Sequence, residues 1–280
     1  MRSVVRFGVI GAAVFVLGST AQSVPQTTTT ALFAQVAVGG GFSTTFTLLN
    51  TGSTALTGNL VLTLEKSDGT PNVTVTDLAL NQTSTFSGFS ITVPISSIPP
   101  GGTMFLSAES TNPSDSVAVG WGRVDSTGGT LGGVATFAFT SAGQLQTIAG
   151  VLSSDLVSAA TIPVDDDVGQ QRITGYAVAN PGSSPITIKV MEVPADGNSA
   201  TAVTLNSITL DPGKHTASFF FQDPNAVDYP GMSPTFRGSA VLIGQAGATF
   251  CVVALVQVQG ATGLLYTVIP VFPSKAPIIN

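Results

Sequence analysis

The chain repeats itself. Phe42 to Ser53 aligns with Arg172 to Ser183, and both stretches end in Asn-x-Gly-Ser. Asn and Gly tolerate positive φ, and Asn bonds its own backbone, so this signature closes a strand in a turn. The segments that follow, Leu60–Glu65 and Ile186–Glu192, carry aliphatic residues at every second position, the period of a half-buried strand. Asp68-Gly69 and Asp196-Gly197 then read as hairpin turns. Ile98-Pro99-Pro100-Gly101-Gly102 matches Leu210-Asp211-Pro212-Gly213-Lys214, with Pro setting φ and Gly supplying a left-handed residue. Strands begin again at Met104–Leu106 and Ala217–Phe221. Ser116–Val124 is then matched to Phe250–Val258, each followed by a glycine turn and one more strand, Gly133–Phe139 and Leu264–Val271.

Many short strands punctuated by turns, with no amphipathic helix, predict an all-β fold. A unit of about 115 residues suits an antiparallel immunoglobulin- or fibronectin-like β-sandwich. The predicted layout is a signal peptide over 1–21 and a flexible linker over 22–31. A first sandwich follows over 32–150, a linker over 151–159, a second sandwich over 160–273, and a tail over 274–280. The first unit has an additional Ser/Thr-rich stretch near 72–93, an added hairpin or a loop. Trp121, Tyr176 and Phe219–Phe221 fall in predicted strands and are expected in the core.

Arg2 and Arg6 precede an apolar run from Phe7 to Gly18, and Ser19-Thr20-Ala21 offers small residues for cleavage. This is the pattern of a secretory signal, and it predicts a mature chain starting near Gln22, outside the cytoplasm or at the cell surface. The run is shorter than the roughly 20 residues of a comfortable membrane span, and no second run of that length follows. Charged residues are only 9% of the chain, against about 25% in ordinary soluble domains. The net charge of −6 and the scattered Lys and Arg leave no basic stripe for a phosphate backbone, so nucleic acid is not an expected partner.

The arrangement resembles tandem immunoglobulin-like repeats of secreted proteins of environmental bacteria. The features that carry the resemblance are Asn180-Pro181-Gly182-Ser183, Pro100-Gly101-Gly102, Gly120-Trp121-Gly122-Arg123 and Phe236-Arg237-Gly238. They are turn chemistry spread over nearly all of the chain beyond the signal peptide, so they imply a fold and no activity.

Chemistry-bearing residues are few. His215 is the single histidine and Cys251 the single cysteine, too few for a zinc site. His215 is expected in an exposed turn, and Cys251 as a small buried hydrophobe. Asp165, Asp166 and Asp167 form the one acidic cluster, a candidate for Ca²⁺ although it lacks an alternating-Asp loop spacing; no other cofactor is expected. Glu65, Glu109 and Glu192 are dispersed, so no glycosidase pair follows from spacing. Asn72-Val73-Thr74 and Asn81-Gln82-Thr83 match the short N-glycosylation pattern. The longest loop, Asp223 to Thr235, with Tyr229, Met232 and Phe236, is the candidate recognition loop, or else a cap over an open end. The expectation is a non-catalytic extracellular structural, adhesive or surface-assembly protein whose partner is an unknown extracellular protein or glycan. The alternative is a carbohydrate-binding accessory protein, which would need exposed, coplanar aromatic rings.

Overall fold

The computed structural model describes residues 28–112, 114–197, 201–220, 235–260 and 263–274. The predicted signal peptide, Tyr229, Met232 and residues 275–280 lie outside them. The described residues form an all-β structure of antiparallel sheets without an α-helix.

Ten strands make the first half: β1 (Thr28–Val38), β2 (Phe42–Asn50), β3 (Leu56–Lys66), β4 (Asn72–Asp77), β5 (Gln82–Ser87), β6 (Ser90–Ile98), β7 (Thr103–Ser110), β8 (Ala118–Thr127), β9 (Leu131–Ser141) and β10 (Gln144–Leu152). They pair into two sheets, β1-β8-β3-β6 and β10-β9-β2-β7-β4-β5. Alternation drives Leu60, Leu62 and Leu64 of one sheet against Phe46, Leu48 and Leu106 of the other in one core. Across that core the Phe33 and Phe46 rings meet edge to face, with centroids 5.3 Å apart.

The second half contains β11 (Ala159–Asp167), β12 (Arg172–Ala179), β13 (Ile186–Pro194), β14 (Val203–Leu210), β15 (His215–Phe219), β16 (Thr235–Gly244), β17 (Cys251–Gly260), β18 (Gly263–Ile269) and the short β19 (Phe272–Pro273). Here β14-β13-β16-β11 and β15-β12-β17-β18 are joined by a single rung, Asp167 to Arg172, into one curled sheet. The strand order is that of the first half, with β11 to β18 taking the places of β1, β2, β3, β6, β7, β8, β9 and β10 in turn. Only the β4–β5 hairpin has no counterpart among the described residues. It is the Ser/Thr-rich stretch that the sequence set apart.

The turn matches hold at atomic detail. Asn50 Nδ2 donates to the carbonyls of Thr54 and Ile98, and its Oδ1 accepts from the Gly52 N–H. Asn180 repeats all three bonds with Ser184, Leu210 and Gly182. Gly101 and Gly213 sit at φ 72° and 74°, and each returns its N–H to the carbonyl of Asn50 or Asn180.

The match of Ser116–Val124 to Phe250–Val258 is corrected. The structural equivalent of β8 is β16, and β17 stands in the place of β9. These late strands share one Val/Ala/Thr alternation and carry no Asn or Pro-Gly marker, so an alignment by pattern slides by one strand. Two boundaries also move. Thr28 to Ala31 are not linker but the first rungs of β1, paired with Thr127 to Val124. Val151 and Leu152 belong to β10, and the connection to β11 is extended chain, bridged from Ser154 to Leu32 and from Val157 to Phe250.

The halves do not stand apart. Tyr176 and Val178 of β12, with Val252 and Ala254 of β17, point into the second core. Their neighbours Ala177, Ala179, Cys251 and Val253 are buried with the first-half residues instead. Strands covered on both faces read as unbroken apolar runs, as Tyr176–Ala179 and Phe250–Leu255 do.

Candidate functional site

Two places bring polar chemistry together. The first is the seam between the halves. Gly122 faces inward, where an added Cβ would lie 3.3 Å from Phe46 and 3.4 Å from Leu62. Its neighbour Trp121 therefore points to the opposite face of β8. It is 4% exposed, as expected of a buried residue, but the second half covers it rather than the opposing sheet. The indole Nε1–H donates to the Gly213 carbonyl at 2.8 Å. The next residue, Lys214, pairs with Glu65 at 2.9 Å. The next again, His215, sets Nε2 2.8 Å from Gln35 Oε1. One Pro-Gly turn thus contacts β8, β3 and β1 through three successive residues.

His215 is correspondingly not an exposed turn histidine. Desolvation pushes its pKa down to about 4, against the opposing pull of the Glu65 carboxylate, so the ring is neutral at pH 7. Cys251 lies in the same seam, fully buried. Desolvation raises its thiol to about 12, with a weak contact to the Ala179 carbonyl opposing that rise, so it is an inert thiol. Beside the seam is a cleft of about 430 Å³ walled by Phe42, Phe139, Val119, Phe219, Leu255 and Tyr266. The Phe42 and Phe139 rings are 4.8 Å apart in it.

The second place is the end of the second half near the Asp165–Asp167 cluster. Strand alternation splits the three carboxylates. Asp165 and Asp167 face outward, where Asp165 Oδ1 accepts from Arg172 and Arg237 at 2.9 Å each and Asp167 lies 3.7 Å from Arg237. Asp166 turns inward and is 2% exposed, with its Oδ1 accepting the Thr174 N–H. The expected calcium cluster is therefore corrected: the three cannot converge on one ion, and the outer two already face arginines. No three His, Cys, Asp or Glu side chains gather into a metal site among the described residues.

A partner the spacing did not reveal is Glu192. It is also 2% exposed, and its Oε2 has no hydrogen-bond partner. Burial first, and then the Asp166 charge, push it up to about 8. Burial raises Asp166 to about 6, tempered by its bonds to Thr174. At pH 7 the pair is one carboxylate and one neutral acid, like charges in a poor solvent sharing the burden by protonating one member. The available signal was a carboxylate in the apolar register of Ile186, Ile188 and Val190 on one strand and of Ile162 and Val164 on another. Phe236, the described member of the candidate recognition loop, is half-buried against the second core.

Comparison with known protein families, with curated proteins and with solved structures finds no match to this chain. What the coordinates define is a class, an all-β antiparallel protein with a repeated strand order.

Proposed function

We propose that this chain is a secreted, non-catalytic structural protein, two immunoglobulin-like β-sandwich units serving adhesion or assembly at the cell surface. The observation that carries the reading is the seam. Three successive residues of one turn, Gly213, Lys214 and His215, each engage the first half, and small residues let the strands behind them approach closely. Such a seam suits a stiff spacer better than two independently swinging domains. The groups that could carry chemistry are placed to hold structure. His215 and Cys251 are in the seam, and Asp166 and Glu192 are closed into the second core.

A carbohydrate platform has less support. Trp121 and Tyr176 are buried, and the exposed rings Phe89, Phe105 and Phe272 lie on separate elements. The test is fractionation of producing cells combined with small-angle X-ray scattering of the purified protein. Recovery outside the cytoplasm as a particle of fixed shape supports the reading. Retention in the cytoplasm, or a scattering profile of two freely hinged bodies, overturns it, and saturable binding on a glycan array would favour the carbohydrate reading.

A further inference from the structure

The β4–β5 hairpin is an addition to the first half, and it widens one sheet from four strands to six. Nothing in the repeated architecture requires it. Its outer strand, Gln82-Thr83-Ser84-Thr85-Phe86-Ser87, pairs only with β4, in an unbroken register from Asn72–Ser87 to Asp77–Gln82. Edge strands are a hazard that proteins ordinarily blunt with charge, proline, bulges or a covering element. Other edges here carry such devices. β6 has Pro94 and a register shift; β14 is bulged between Asn206 and Thr204; β1 is bulged and lies against the second half. β5 has no charged residue, no proline and no bulge, and Gln82 to Thr85 are all exposed.

The ends of the same edge are apolar. Leu78 and Leu80 in the β4–β5 turn are 54% and 57% exposed, and Phe89, just past β5, is 54% exposed. An antiparallel two-fold pairing of β5 with a second β5 reverses one strand against the other. It lays the Leu78–Leu80 end of one copy beside the Phe89 end of its partner, at both ends at once. The hydroxyl side chains between them pair with their own kind, and Thr–Thr contacts of this sort already occur within the sheet, as between Thr76 and Thr83 at 3.1 Å. A closed, self-complementary contact is the usual form of a homodimer.

We infer that β5 is an assembly edge whose partner is a second copy of this chain, joined antiparallel into one sheet continuous across two molecules. This does not depend on the spacer reading, since a stiff spacer need not self-associate. The test is multi-angle light scattering of the full chain over a concentration series, with two charged variants, Thr83→Lys/Thr85→Lys and Thr83→Glu/Thr85→Glu. The parent is expected to move toward twice the monomer mass as concentration rises. Each charged variant is expected to stay monomeric with an unchanged unfolding transition, since both positions are exposed. An equimolar mixture of the two is expected to recover the dimer. A parent that is monomeric throughout, charged variants that dimerise like the parent, or a mixture that stays monomeric would each overturn the inference.

Discussion

Glu192 and His215 are buried ionisable groups with opposite signs of shift, so they load opposite ends of the pH range. The folded pKa of Glu192 is raised to about 8 from a model value of 4.5. Its contribution is most favourable where both states are protonated, below about pH 4.5, and stability is lost as pH rises toward 8. His215 is lowered to about 4 from 6.5. Its contribution is whole above pH 6.5 and is lost as pH falls toward 4. Glu192→Gln keeps the shape of the neutral acid and removes the alkaline loss. The variant should match the parent near pH 4 and exceed it by about 2 kcal/mol at pH 8, read from urea unfolding at a series of pH values. An unchanged difference across that range would mean that Glu192 ionises as freely in the fold as out of it. His215→Gln should likewise flatten the acid limb between pH 6.5 and 4.

The elements are held in register by the two asparagines. Asn50 and Asn180 are fully buried, and each ties a strand end to two carbonyls and one N–H. Removing such a side chain strands its partners without water, which costs about 3 kcal/mol. Asn180→Ala and Asn50→Ala should show similar losses by thermal unfolding because the surroundings are equivalent. Asn180→Asp should be no milder, since a carboxylate cannot donate to the Ser184 and Leu210 carbonyls. A loss at one site and none at the other would separate the two turns energetically despite their matched geometry.

For the whole molecule, the seam decides whether two units behave as one. Trp121→Ala empties the contact with Gly213 and should cost about 3 kcal/mol. It should also raise the radius of gyration and expose the 153–158 connection to limited proteolysis. Trp121→Phe retains the ring and loses only the N–H, leaving the Gly213 carbonyl short of one donor, for about 1 kcal/mol. Lys214→Ala should change stability little, because the pair with Glu65 is half exposed on both sides. If all three variants scattered and digested like the parent, the Pro-Gly turn would not be what holds the halves together.

What the amino-acid order determined by itself is local. The Asn-x-Gly-Ser and Pro-Gly turns demand particular backbone angles and donors whatever surrounds them. Period-two alternation likewise declares a half-buried strand without reference to its partner. Those signals were enough for an all-β chain, for the repeat, and for the Ser/Thr-rich stretch as an addition. They could not place Trp121, because alternation says that a side chain leaves the neighbouring glycine's face but not what covers the other face. They could not find the pairing of Asp166 with Glu192, 26 positions apart, because a buried acid differs from an exposed one only through the strands folded around it. The slip that set β8 against β17 has the same origin: identical local patterns fit several neighbours, and only the closed sheets, where each strand has one place that satisfies its backbone and its core face together, choose among them.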